Sequence, residues 1–258
     1  LNSSSMNLTR VIGPAAAGFL ILYMGTAGVF YLIAGAHVFS LVSMGMIRAG
    51  GTPAVGPRRG VTGDIREGLA YAASNPTLLG LVIIMFIPAL FGYSYFALLP
   101  AWGREALDVG PEELGLLMMV MGVGALVGTL VLASMRSIGR RGTFLLVCSV
   151  AWGVSLAIFS QSTSYALAIP FLLLVGLMSS VFMSVIMTMM QLHSAPEMRG
   201  RIMSIGMMTF GLMPLSAVPF GAIAEGIGTP AALLLSGLLL AAFTLVFAVR
   251  YPSFRRIP

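Results

Sequence analysis

Hydrophobic runs of about 20 residues recur along almost the whole chain, each long enough to cross a hydrocarbon core of about 30 Å as a helix. Residues 11 to 47 form one uncharged stretch, too long for a single crossing, with the turn signal Gly25-Thr26-Ala27-Gly28 in its middle. The pattern predicts a hairpin of two spans there, roughly 8–24 and 28–47. Six further spans are predicted at about 77–99, 114–135, 143–160, 165–190, 202–224 and 230–249, separated by short polar or Gly/Pro turns. The fold class expected is an all-α integral membrane protein of about eight transmembrane helices. Segments of this length far exceed the roughly 10-residue strands of a membrane barrel, and in lipid a helix satisfies its own backbone. One polar stretch, Arg48 to Pro76, interrupts the series. In it Asp64 is the expected cap of a short helix with Glu67 at its third position, and apolar Ile65, Leu69 and Ala72 predict that this helix lies on the membrane surface.

Composition agrees. Charged residues make up 9% of the 258 and hydrophobic ones 58%, with a mean hydropathy of +1.00, against roughly 25% charged in a soluble domain. All 14 basic residues are Arg, and the isoelectric point near 10.1 would suit nucleic acid. Their placement excludes it, since they stand singly or in pairs between apolar spans. Assigning alternate loops to opposite sides gathers Arg10, Arg48, Arg58, Arg59, Arg66, Arg136, Arg140, Arg141, Arg199, Arg201, Arg250, Arg255 and Arg256 on one side. Only Arg104 falls on the other, beside Glu105, Asp108, Glu112 and Glu113. The arginine-rich side is therefore expected to be cytoplasmic, with both ends of the chain facing it. The single Cys148 precludes an intrachain disulfide. The chain opens on Leu1-Asn2-Ser3-Ser4-Ser5, without an initiator Met or a signal-peptide pattern, and is read as the later part of a longer protein.

An internal echo sharpens this. Gly18 to Gly25-Thr26 in the first span has the same glycine spacing as Gly221 to Gly228-Thr229 in the seventh. If those helices are equivalent, the repeat unit is six helices. Residues 1–47 are then the last two helices of a first half, 48–76 a loop between halves, 77–250 a complete second half, and 251–258 a tail. Chance matching of Gly-rich apolar sequence is the alternative.

Two segments carry a family resemblance. Arg10-Val11-Ile12-Gly13-Pro14-Ala15-Ala16-Ala17-Gly18 resembles the fifth-helix segment of the major facilitator superfamily, and Ala195-Pro196-Glu197-Met198-Arg199-Gly200-Arg201-Ile202-Met203-Ser204 resembles the loop between its tenth and eleventh helices. Arg136-Ser137-Ile138-Gly139-Arg140-Arg141 is similar to the basic loop between the eighth and ninth. The chain is particularly similar to the bacterial branch of enterobactin exporters and macrolide or multidrug efflux proteins. The resemblance implies a major facilitator fold of twelve helices, of which about eight are present here. It also implies a place in the bacterial inner membrane and export of lipophilic drugs or siderophore-like molecules by alternating access, with an ion gradient, protons among the candidates, as the drive. Ala17 and Thr9 stand where the antiporter pattern of the fifth helix has glycines, which weakens the case for antiport. A transport-inactive remnant or membrane interaction partner is the competing reading.

Candidate residues follow from polarity inside the spans. Ser180, Ser184, Thr188 and Gln191 form a polar stripe on one helix, which either lines a cavity or bonds carbonyls one turn back. Pro88 and Gly92 can kink or open the third span, and Tyr93, Tyr95 and Phe96 follow as a substrate wall or, with Trp102, as an aromatic belt at the interface. Met183, Met187, Met189 and Met190 suit a surface that repacks around varied ligands or plain filler. Gly122, Gly124 and Gly128 mark close helix approach, and Gly13, Pro14 and Gly18 are further packing or hinge positions. Arg136, Arg140 and Arg141 with Glu197, Arg199 and Arg201 form a cytoplasmic latch or serve only as topology anchors. His37 lies deep in the second span as a proton relay or as a neutral, hydrogen-bonded side chain. No span carries a carboxylate near its centre, so a proton-coupling carboxylate is expected before Leu1. No Walker-type loop, protease or esterase motif occurs, and no metal, cofactor or enzymatic activity is expected. The partners expected are the lipid bilayer and a small-molecule substrate.

Overall fold

The computed structural model describes residues 2–46, 61–135 and 139–257, and among these it is built of helices and turns. Helix α1, Asn2–Gly45, is two arms joined at Gly25, whose φ of 68° is a left-handed conformation that glycine adopts without strain. The predicted hairpin is thus two helices meeting at the predicted turn residue. Its second arm, Ala27–Gly45, is long and apolar enough to span a membrane, and six more such segments follow among the described residues. They run Pro76–Leu107, Pro111–Ser134, Arg141–Ser160, Tyr165–Leu192, Arg199–Ile227 and Thr229–Arg250. The first arm of α1 occupies the position of the span predicted at 8–24.

Local sequence explains where these helices start. Helix α3, Pro76–Ile87, begins at Asn75, whose side-chain oxygen accepts from the backbone N–H of Thr77 and Leu78, with Pro76 placed where no N–H is needed. The chain then makes one π-helical turn, Pro88–Gly92, before α4, Ser94–Leu107. Helix α5, Pro111–Ser134, starts with a proline and is held by Glu113, which reaches back to the Gly110 N–H at 2.9 Å. Helix α6 is Arg141–Ser160, and α7, Tyr165–Leu192, is capped by Ser164. The predicted span 202–224 divides into α8, Arg199–Gly211, and α9, Met213–Ile227, at a break before Pro214. Gly228, with φ of 88°, turns the chain into α10, Thr229–Arg250, and a short 3-10 turn, Pro252–Arg256, closes it.

Helix α5 lies between α1 and α7, and α6 packs against α7 on one side and α10 on the other. Glycines set the closest approaches. A Cβ on Gly124 would fall on the carbonyl of Leu173, one on Gly176 on that of Met121, and one on Gly128 at 2.8 Å from that of Leu177, so α5 and α7 touch backbone to backbone. Gly153 and Gly237 do the same for α6 and α10. Buried hydroxyls add bridges: Ser149 and Thr244 at 2.8 Å join α6 to α10, and Ser94 and Ser236 join α4 to α10, the latter also donating to the Phe91 carbonyl.

Contacts at the two ends of the bundle test the alternation of loops. At one end Gly142 N–H donates to the Ile257 carbonyl, Thr143 Oγ1 to that of Arg255, and Ala195 N–H to the Tyr71 hydroxyl. At the other, Trp102 Nε1 donates to the Ser160 carbonyl, Thr229 N–H to Glu105, and Tyr165 Oη to the Glu113 carbonyl. The described arginines at 66, 140, 141, 199, 201, 250, 255 and 256 belong to elements of the first end, and Arg104 to the second.

The polar stretch departs from expectation. Its helix, α2, runs Val61–Ser74, so Asp64 lies inside the first turn instead of capping it. The helix docks on α8 and α3 by its small-residue face, where Gly68 meets Arg201 and Ile205 and Ala72 is buried, while Leu69 is exposed.

Candidate functional site

Near the middle of four spans, aromatic side chains converge. Tyr93, just beyond the π turn, meets Trp152 of α6 edge-on at 5.1 Å and lies 6.3 Å from Phe210 of α8 and 6.1 Å from Phe96 of α4. Trp152 in turn lies 6.3 Å from Phe182 of α7. The π turn makes this possible. Gly92 lacks a Cβ, and one placed there would sit 3.0 Å from the Trp152 ring. Trp152 is fully buried, and its indole N–H has no hydrogen-bond partner among the described residues. An unpaired donor in an apolar, aromatic setting is costly, and it is able to bind an acceptor atom of an otherwise apolar ligand. Phe96 and Phe210 are half-buried, whereas Tyr95 is buried and stacks on Phe96 at 4.5 Å.

The polar stripe of α7 runs from this cluster toward the arginine-rich end. Ser180 is buried, Ser184 half-buried, and Thr188 and Gln191 exposed, with Thr188 Oγ1 donating to the Ser184 carbonyl at 2.8 Å. That last bond is the one-turn-back geometry weighed against a cavity role. The methionines split. Met183 and Met187 are half-buried, with Met187 against Gly206 beside Met85, while Met189 and Met190 are core.

At the arginine-rich end, Arg201 pairs with Glu67 of α2 at 3.0 Å, both side chains about one-third exposed. Arg199 Nε donates to the Ser194 carbonyl at 3.4 Å. Arg140, Arg141 and Glu197 carry no ion pair among the described residues, and Arg136 lies outside them. Gly13, Pro14 and Gly18 fall on the first arm of α1, their side-chain surroundings outside the described set. Pro88 opens the π turn, and His37 Nδ1 lies 2.9 Å from the Ile33 carbonyl, one turn back on its own helix.

Trp152, Phe182 and Phe210 were not picked out from the sequence, and Glu67 was read only as a helix-start residue, not as the partner of Arg201. Trp152 carried a signal, since an interfacial anchor should sit at the end of a span and this residue sits near the middle of one. Trp102, read as a belt residue, is instead buried, hydrogen-bonded to the Ser160 carbonyl and 4.3 Å from the Phe159 ring. Among the described residues no cluster of His, Cys, Asp or Glu could hold a metal ion.

Comparison with known proteins identifies the family. The chain is 26% identical over 259 aligned positions to the multidrug efflux pump Tap of Mycolicibacterium fortuitum, covering 97% of this chain and 62% of Tap. It is 24% identical over 215 positions to the uncharacterized MFS-type transporter y4rN of Sinorhizobium fredii, covering 80% of this chain and 51% of that protein. The chain therefore spans between half and two-thirds of the length of these relatives. The sequence pattern of the transmembrane secretion effector family matches residues 1–256. With that match running nearly end to end over a bundle of membrane-length helices, the chain belongs to the transmembrane secretion effector family of major facilitator transporters.

Proposed function

We propose that this chain is the larger, later part of a secondary transporter that exports lipophilic small molecules across the bacterial inner membrane by alternating access. The observation that carries this is the mid-depth cluster of Tyr93, Trp152, Phe182 and Phe210. It is drawn from four helices, lies beside a broken one, and contains an unpaired indole N–H. Such a surface suits an aromatic or aliphatic ligand with one acceptor atom. The efflux activity in Tap's name and the family match support the direction of transport.

The division into a two-helix remnant of a first half (1–47), a connecting loop (48–76), a six-helix second half (77–250) and a tail is part of this reading. Gly25 and Gly228, the matched glycines of the repeat, support it: they are the two glycines with positive φ among the described residues, and each turns one helix into the next. The positive-inside tendency places the arginine-rich end, and with it both ends of this chain, in the cytoplasm. Protons are the coupling ion the reading favours. The Glu67–Arg201 pair joins the loop between halves to the start of α8, where a rocking motion would break it.

Cells expressing the reading frame that contains this chain should accumulate less ethidium, a lipophilic cation, than cells lacking it, and a protonophore should abolish the difference. Phe210→Ala should impair efflux while leaving the protein in the membrane. Normal ethidium accumulation across a panel of lipophilic dyes, with the protein correctly inserted, would refute the proposal and favour the inactive remnant.

A further inference from the structure

A second concavity lies away from the aromatic cluster, on the outside of the bundle. Helix α6 forms its floor and α7 and α10 its walls, and this open groove has a volume of about 570 Å³. Its lining is apolar along Val154, Ile158, Leu167, Phe171 and Leu238, and it ends at Gln161. These residues come from the arginine-poor ends of all three helices. From Gln161 down to Val154 the slot extends about 10 Å along α6 at the helical rise, or one-third of a hydrocarbon core of about 30 Å.

The end at Gln161 is fixed. Gln161 Nε2 donates to Ser160 Oγ at 3.1 Å and to the Pro230 carbonyl at 3.4 Å, and the Ser160 carbonyl is held by Trp102. The rim is therefore polar where the helices leave the membrane, and the slot below it is lined without a single charged side chain. Its walls continue into the lipid-facing surface, for Val154, Ile158, Leu167 and Leu238 are all exposed on membrane-length helices. A gap in such a surface forfeits dispersion contacts along its lining, so an occupant that fits it is held.

We propose that this slot is a binding site for one acyl chain of a phospholipid in the leaflet at the arginine-poor end, with the ester region level with Gln161. It is distinct from the transport cluster. The apolar lining selects for the chain, and nothing in the slot selects a headgroup by charge.

The test uses the full chain in lipid nanodiscs containing phosphatidylethanolamine with a diazirine midway along one acyl chain, followed by photolysis and peptide mapping. Adducts should fall on the peptides bearing Val154–Gln161 and Leu234–Leu238 about fivefold more often than on those bearing Val147 and Leu245, which are equally exposed outside the slot; fivefold corresponds to roughly 1 kcal/mol of preference. Val154→Trp and Leu238→Trp, which fill the slot from lipid-facing positions, should each remove the enrichment, and Leu245→Trp should not. Labelling that simply follows exposure in the unaltered chain would overturn the proposal, as would displacement of the label by a lipophilic dye at constant lipid, which would make the slot a ligand path. Enrichment lost only when the protein dimerises would assign it to a second copy and also overturn it.

Discussion

Substituting Gly153 by Ala tests whether backbone contact between α6 and α10 holds the bundle. The added Cβ would stand 2.6 Å from the Gly237 carbonyl oxygen and 2.8 Å from the Ala241 nitrogen, both backbone atoms in helix interiors that no rotamer change can move. The helices must part by about 0.5 Å or more, and overpacking of this kind costs typically 1–3 kcal/mol. Alanine recovers about 0.5–1 kcal/mol of helix propensity over glycine, leaving a net loss of up to about 2.5 kcal/mol. At about 2–4 °C per kcal/mol for a chain of this size, the melting temperature should fall, by up to roughly 10 °C. The chain supplies its own reporter: Cys148 is its single cysteine, buried on the same helix, and a fluorogenic maleimide will label it as α6 loosens. Gly221→Ala, where a Cβ meets nothing within 4 Å, is the control and should melt at or above the wild-type temperature. Gly153→Ala combined with Gly237→Ala should cost less than the two singly, because both crowd one contact and the first already opens it. If Gly153→Ala melts with Gly221→Ala, the contact does not hold the helices together and the reasoning fails.

Three further outcomes are expected. Trp102→Phe keeps the ring against Phe159 but removes the donor to the Ser160 carbonyl, and should lower stability by about 1–2 kcal/mol in the same thiol assay. In a Trp102→Phe background Trp152 is the remaining tryptophan, and Gly92→Ala, crowding its ring at 3.0 and 3.1 Å, should change its fluorescence emission; an unchanged spectrum would mean the ring is not seated on the π turn. Glu67→Arg should reduce ethidium efflux with little loss of stability, since a partly exposed pair is worth about 1 kcal/mol at most, and adding Arg201→Glu should restore it; a loss that the swap does not rescue would refute a latch role.

Spans were legible because hydrocarbon imposes one requirement on every residue in turn, and a run of apolar side chains expresses it locally. Gly25 was legible for a similar reason, as a turn signal set within a run too long for one crossing. What escaped was set by neighbours distant in sequence. Tyr93 and Trp152 are 59 positions apart, and the pairing exists only because α6 lies behind the π turn. Glu67 and Arg201, 134 positions apart, were each noticed without their mutual contact. The docking of α2 on α8 was not legible, because it rests on Gly68 and Ala72 being small enough to admit a helix more than 120 positions away in sequence. The break between α8 and α9 was announced by Gly211 and Pro214 and was missed because hydropathy averages across it.

The π turn at Pro88–Gly92 carries a consequence of phase. A π turn holds about one residue more than an α turn, so every position beyond it is advanced by about 100° relative to a helix that continued unbroken. Tyr93, Trp102 and Glu105 all reach their partners only with that offset in place. A deletion of one residue within 88–92 would therefore act less as a gap than as a rotation, turning the whole second half of the span away from its neighbours at once. A residue inserted just after the turn would overshoot by the same angle, so the length of this short segment, more than the identity of any one side chain in it, fixes which face of the second half of the span looks into the bundle.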